Sequence, residues 1–193
     1  MNEKLRIALV DEKTERSSDL ERALGEAGFE VVARLGGRDD LRARIADLAP
    51  DVVIIDMQSP DRDVLEDMQR IHREHPRPIV MFVDESDSES IRVAVEAGVS
   101  AYVVDGLRAR SVRPIIEVAI ARFQAFQALR DELAAARTSL AERKLIEKAK
   151  GILMSRREVN EEEAYQLLRK SAMDRKMKLA DVARHLIEMA ELL

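Results

Sequence analysis

The chain has no cysteine and no tryptophan, and only two tyrosines and four phenylalanines among its 193 residues. Disulfides, thiolate nucleophiles and cysteine metal sites are therefore excluded. The three histidines (His72, His75 and His185) are too scattered along the chain to mark a metal centre. No apolar run approaches the ~20 residues that a bilayer crossing needs. The opening MNEKLRIALV lacks the small-residue cleavage pattern of a signal peptide, so a cytoplasmic location without membrane contact is expected. Turn-forming residues are few and unevenly placed. All five prolines lie at or before Pro114, and Gly151 is the only glycine after Gly106. The first part of the chain is thus punctuated by turns and the last part is not.

Hydrophobic residues make up 46% of the chain and charged residues 36%, enough core for one full domain and a small second one. The net charge of −5 divides unevenly: residues 141–193 carry +2 and the remainder −7. A mildly basic tail therefore follows an acidic body. That asymmetry is too small to assign a nucleic-acid partner by itself.

Five short apolar runs read as strands: RIALV (6–10), FEVVARL (29–35), VVIID (52–56), IVMFV (79–83) and AYVV (101–104). Between them lie stretches of helical period, such as LERALGEAG and ESIRVAVEAG, that close on Ala-Gly as a helix C-cap does. Continuous β-branched runs alternating with helices predict an α/β fold with a doubly wound five-stranded parallel sheet over residues 1–122. Ligand chemistry in such sheets gathers at the carboxyl ends of the strands. Asp11 and Glu12 follow the first strand and Asp56 ends the third. Three carboxylates there would bind Mg²⁺, with Asp56 placed to accept a phosphoryl group.

From about Ser111 the pattern is uninterrupted helix. Phe126, Leu129, Leu133, Ala136 and Leu140 step by three and four residues, a two-heptad seam. Phe123 joins it through a local stammer. Residues 112–140 are expected to be an extended linker helix that self-associates through Phe123, Phe126, Leu129, Leu133 and Leu140. The alternative is one helix packed on its own domain.

Residues 141–193 then divide into a small all-α bundle of three helices. In ERKLIEKAKGILM, Lys144 and Lys148 are one turn apart and Arg143 and Lys150 two turns apart, flanking the apolar stripe. Asn160 with Glu163 three residues later is a capping-box pattern opening the second helix. Its inward face reads Ala164, Leu167, Leu168, Ser171 and Ala172. A six-residue basic connector without glycine argues against a helix-turn-helix, and no acid–base pair or nucleophile in the tail points to an enzyme. Arg169, Lys170, Lys176 and Lys178 add charge, and Tyr165 lies one turn before Arg169. A tyrosine beside arginines suits base stacking with phosphate neutralisation. The plainer reading is a solvated charged face and a half-buried tyrosine. Gly151 costs a helix about 1 kcal/mol relative to alanine, which points to close approach by either RNA backbone or a neighbouring helix.

The first 120 residues resemble response-regulator receiver domains: Asp11, Glu12 and the acceptor Asp56 are followed by Pro60 and by Tyr102 at the switch-aromatic position. The resemblance also exposes two departures. A hydroxyl residue is implied at Val83, and a lysine at Asp105, where Gly106 stands in for the usual proline. At an effective dielectric near 20, a pair of unit charges ~4 Å apart interacts by roughly 4 kcal/mol. Reversing the charge at Asp105 therefore weighs against phosphorylation. Two readings remain: a pseudo-receiver that no longer switches by phosphorylation, and residual phosphorylation at Asp56.

ERKLIEKAKGILM, EEEAYQLLRKSAM and LADVARHLIEMA together resemble the ANTAR domain, an RNA-binding module of transcription antiterminators. Within that family the chain is most similar to NasT-type regulators of nitrate assimilation. The resemblance implies binding to paired stem-loops in a leader mRNA, which prevents a terminator hairpin from forming. It also implies a homodimer on RNA and sequestration by a nitrate- or nitrite-binding sensor protein (NasS-like). Arg143, Lys144, Lys148, Lys150, Gly151, Tyr165, Arg169, Lys170 and Lys176 are the expected RNA-binding residues. A DNA-binding response regulator is a further alternative.

Overall fold

The computed structural model describes residues 4–11, 14–36, 39–59, 62–104 and 112–191. The chain divides into two compact units, Met1–Gln127 and Ala128–Leu193. In the first, strands β1 (Arg6–Asp11), β2 (Glu30–Leu35), β3 (Val52–Met57), β4 (Ile79–Val83) and β5 (Ala101–Val104) alternate with helices α1 (Thr14–Glu26), α2 (Leu41–Leu48), α3 (Arg62–Glu74) and α4 (Ser88–Glu96). All neighbouring strands pair in parallel, in the order β2-β1-β3-β4-β5. This is the five-stranded doubly wound sheet that the β-branched runs predict.

The period-two side-chain alternation of a strand explains how one apolar run serves two cores. Ile7 and Leu9, Val52 and Ile54, and Val80 and Phe82 face a cluster with Leu20 and Leu24 of α1 and Val112, Ile116 and Ala119 farther along the chain. Val53, Ile55 and Met57, with Ile79, Met81 and Val83, face the opposite cluster with Ile45, Met68, Ile71 and Ala94. Helices thus cover both faces, and β3 is buried along its whole length. The sheet's topological switch falls between β1 and β3, whose ends carry Asp11 and Asp56.

Helix α5 (Val112–Arg157) begins in the first unit and ends in the second. The second unit is completed by α6 (Glu161–Arg175) and α7 (Leu179–Glu191). Its small core is Ala149, Leu168, Ala172, Val182, Ala183 and Ile187, bordered by partly buried residues including Leu145, Ile146 and Leu153. The Asn160 cap forms as predicted: its side chain accepts from the Glu163 backbone N–H at 2.9 Å, and Glu163 accepts from the Asn160 N–H at 3.0 Å. The connector between α6 and α7 is shorter than expected. Asp174 and Arg175 belong to the last turn of α6, and Lys176 takes the left-handed C-cap position (φ 53°) usually held by glycine. A tight turn therefore needs no glycine here, and the connector does not argue against a helix-turn-helix. Among the described residues, no helix is long and apolar enough to cross a membrane.

Gly98 closes α4 with φ +97°, and a Cβ built there would fall well inside van der Waals contact of the His72 ring. Both conformation and space therefore exclude a side chain. Gly98→Ala is expected to cost the first unit on the order of 2 kcal/mol or more. Urea unfolding followed on that unit's transition checks this; a loss below a few tenths would contradict the packing.

Candidate nucleic-acid interface and acidic pocket

At the sheet's carboxyl edge, Asp11 and Asp56 are Cα partners across β1 and β3. Asp56 is buried at 4% exposure, while Asp11 is half-buried. Parallel pairing thus brings together two of the three predicted carboxylates. Glu12 lies outside the described residues, as do Pro60, Asp105 and Gly106. Among the described residues, no group of three potential metal ligands is gathered. Two adjacent carboxylates at strand ends fit part of the oxygen-rich shell that Mg²⁺ prefers.

Val83 is fully buried and belongs to the core below the sheet. Its position supplies packing and no hydroxyl. The nearest hydroxyl along the chain after β4 is Ser86, which is engaged with the Tyr102 hydroxyl at 2.8 Å. Tyr102 is itself half-buried against the same core. The loop after β4 is also tied to the loop after β3, because Asp84 and Glu85 donate their backbone N–H groups to the Gln58 carbonyl.

In the second unit the structure separates the predicted cations into two groups. Lys150 is only 8% exposed and donates to Glu161 at 2.7 Å and Glu147 at 2.9 Å. It ties α5 to the first turn of α6. Lys148 pairs with Glu191 at 2.7 Å, and Arg156 donates to the Ala190 carbonyl at 2.9 Å, so both hold the end of α7. The expectation that Lys150 faces a ligand is therefore corrected: its amine is spent inside the bundle. Sequence pattern missed this because a lysine flanking an apolar stripe reads identically whether or not a carboxylate meets it.

Arg143, Lys144, Arg169, Lys170 and Lys176 are exposed, and their side chains make no hydrogen bond or ion pair among the described residues. On α5, Lys144, Lys148 and Gly151 share one face at spacings of four and three. Gly151 is exposed, and an added Cβ would meet nothing within 4 Å. Close packing by a neighbouring helix of the bundle is thus ruled out as the reason for this glycine. On α6, Tyr165 and Arg169 form a row on one flank of the buried Ala164, Leu168 and Ala172. Leu167, assigned inward from the sequence, instead lies at the surface with 37% exposure. The pattern also missed Arg157 and Arg175, which, like Lys178, are exposed and free of carboxylate partners among the described residues.

Of the seam residues, Phe126, Leu129, Leu133 and Leu140 are each more than half exposed, and Phe123 is partly buried. Phe123 packs edge-on against His72 within the first unit. Residues 128–141 of α5 are exposed throughout.

Comparisons with known proteins agree with this geometry. The response regulator receiver domain matches residues 7–116, and the ANTAR domain matches residues 134–187. Transcriptional regulatory protein PdtaR of Mycobacterium tuberculosis is 32% identical over 184 residues, spanning 95% of this chain and 89% of that protein. A nitrate regulatory protein of Klebsiella oxytoca is 36% identical over 88 residues, 46% of this chain and 22% of that protein. Among solved structures, a CheY-like receiver domain protein from Methanospirillum hungatei superposes with a TM-score of 0.56 at 21% identity. It covers 64% of this chain and 98% of its own, which bears on the fold alone.

The Lys150–Glu161 contact has a pH signature. The hydrogen bond from Lys150 holds the Glu161 carboxyl below its ordinary value of 4.5. The bonds to Glu161 and then Glu147 raise Lys150 above 10.5. A lowered carboxylate contributes stability that is complete above its unfolded pKa and is lost as pH falls through the folded one. Glu161→Gln should therefore lower the melting temperature of the bundle at pH 6–7. The difference from wild type should close as the pH drops below 4.5. An equal difference at pH 3 and pH 7 would contradict the ion pair; Glu161 is well exposed, so the effect is small.

Proposed function

The chain belongs to the ANTAR response regulators, in which a receiver domain precedes an ANTAR domain, and from that premise we propose that it is an RNA-binding transcription antiterminator. The observation that carries this reading is the division of the basic residues in the bundle. Lys148, Lys150 and Arg156 hold the three helices together. Arg143, Lys144, Arg169 and Lys170 remain exposed without carboxylate partners among the described residues. Unpaired cations are what phosphate attraction requires. Tyr165 in the Arg169 row adds an aromatic face for stacking, and the open face around Gly151 lets a backbone come close.

In this reading, stem-loops of a leader transcript bind to the ANTAR surface, and holding them keeps a terminator hairpin from forming. Paired stem-loops suit a dimer of this chain. The exposed Leu129, Leu133 and Leu140 provide a seam that a second copy would bury. The partial likeness to a nitrate regulatory protein supports nitrate or nitrite assimilation genes as the target. Control falls to a nitrate- or nitrite-binding sensor protein that sequesters the regulator, since Val83 offers no hydroxyl to a phosphoryl group. A second reading, phosphorylation through Asp56, draws on the pairing of Asp56 with Asp11 at the strand ends. There Asp11 and Asp56 would hold Mg²⁺, which would neutralise charge on a phosphoryl donor.

Gel shifts with stem-loops from the leader of the chain's own operon, against duplex DNA as competitor, test the assignment. Arg169→Ala and Lys170→Ala should each weaken RNA binding and flatten its salt dependence by about one unit of slope. Gly151→Leu should leave the bundle folded and still reduce affinity. Duplex DNA competing as well as the RNA would end the reading.

The two modes of control separate under a small phosphodonor. Sequestration predicts no stable labelling and an Asp56→Asn variant that binds RNA as wild type does. Labelling that disappears in Asp56→Asn, with RNA affinity rising on phosphorylation, would instead establish the second reading.

A further inference from the structure

We propose that the C-terminal bundle carries a subsite for one unstacked nucleobase and its phosphate, in the cleft where α5, α6 and α7 meet. This inference rests on the RNA reading above and locates where sequence would be read. The cleft has a volume of about 230 Å³. Leu168 and Val182, both nearly inaccessible, form its floor, and Leu167 and Met189 stand at its mouth. Leu167 is 37% and Met189 57% exposed, so two large apolar side chains are left open to water around a hydrophobic recess. Such a recess gains from an apolar occupant.

The charged side chains of the lining, Arg157 and Arg175, are both cations. Arg157, Arg175 and His185 line the cleft, and no carboxylate does. None of the three makes a side-chain hydrogen bond or ion pair among the described residues. Their neighbours behave differently: Arg156 donates to the Ala190 carbonyl and Arg184 pairs with Asp181 at 3.0 Å. Arg157 and Arg175, the cations turned to the cleft, are thus left without an internal partner among the described residues. A planar guanidinium both stacks on a base and grips phosphate bidentately.

Size selects the occupant. The volume lies below the roughly 300–1,000 Å³ of ordinary small-molecule pockets. It suits a single ring system rather than a helix, which presents anchors over several turns. Flat apolar faces, ring-edge donors and acceptors, and an adjoining anion are together the chemistry of a nucleotide.

The cleft is separate from the Tyr165–Arg169 row. Leu167, Ser171 and Arg175 follow one another at four-residue spacing on one flank of α6, and Tyr165 and Arg169 lie on the other. Between them run the buried Ala164, Leu168 and Ala172. One flank would hold phosphates and the other would take a base, a division usual in nucleic-acid recognition.

The test uses the full chain and a leader stem-loop in which each loop base is removed in turn, leaving an abasic site and every phosphate in place. One abasic position should weaken binding about tenfold, in keeping with the loss of one stacked base. It should leave the salt slope unchanged. Leu167→Glu, at the exposed mouth, should weaken the intact RNA by a similar factor and erase the distinction between intact and abasic RNA. The methyl signal of Met189 should shift on RNA binding and identify the cleft directly. If no abasic position matters, or if Leu167→Glu leaves the ratio intact, the subsite is overturned while the RNA reading stands. If the chain binds no stem-loop at all, that reading fails and adenosine monophosphate becomes the probe. A Met189 shift then upholds the cleft as a nucleotide site, and no shift overturns it. Self-association abolished by Leu167→Glu would assign the cleft to a second copy and overturn it likewise.

Discussion

The amine of Lys150 determines how the rest of the bundle can be read. Six buried residues make a small core for three helices, and such a core supplies little stabilisation by itself. Lys150 adds a cation held at 8% exposure between Glu147 of its own helix and Glu161 in the first turn of the next. Glu161 also lies where a helix N-terminus favours negative charge. Lys148 with Glu191 and Arg156 with the Ala190 carbonyl do the same work at α7. Once these contacts are assigned to structure, Arg143, Lys144, Arg169 and Lys170 stand out as a set whose charge nothing among the described residues offsets. Their availability follows from which residues the fold has already used.

The same reasoning separates frame from function in the first unit. Parallel pairing brings Asp11 and Asp56 side by side at the switch point of the sheet, where a doubly wound fold places its chemistry. One element that would act on a phosphoryl group there is replaced by packing: Val83 lies wholly in the core. Tyr102 meanwhile is held by Ser86. An arrangement that keeps its acidic pair but fills the hydroxyl position with a hydrocarbon retains the geometry of a receiver. In the sequestration reading proposed above, its responsiveness would come from surfaces that another protein can grip.

Much of the fold was legible because its signals are local. Runs such as VVIID and IVMFV are short, rich in β-branched residues and bounded by turn residues, which favours strands buried on both faces. Asn160 with Glu163 fixes a helix start through two hydrogen bonds between residues three apart. What escaped depends on contacts distant in sequence. Lys150 and Lys144 look alike in the pattern, and only the arrival of Glu161 buries one of them. The α6–α7 turn was read as too long because Lys176 occupies a conformation that sequence rules reserve for glycine. The cleft draws Arg157, Arg175 and His185 from three helices, and no spacing along the chain foretells their convergence. Glycine illustrates both cases. Gly98 is required by φ and by the His72 ring, whereas Gly151 meets nothing, so the packing of the described residues does not require a glycine there.

Affinity and specificity for RNA have different physical sources, and in the proposed RNA reading this bundle would keep them on different surfaces. Phosphate attraction is long-ranged, additive and indifferent to sequence, so it suits exposed lysines and arginines spread over helix faces. Discrimination among bases needs a shaped recess with few donors, because a wrong or missing base must leave polar groups unsatisfied or apolar surface wet. Arg143, Lys144, Arg169 and Lys170 have the first character: open, unpaired among the described residues and scattered over two helices. The cleft bounded by Leu167, Leu168 and Met189 has the second. Placing the Tyr165–Arg169 row and the cleft on opposite flanks of one short helix also has a mechanical consequence. A stem-loop that engages both flanks must wrap α6, and a hairpin held in that way has fewer routes to re-pair into a competing structure. On this view the regulator acts by restricting which fold its transcript can reach, with no chemistry performed on it.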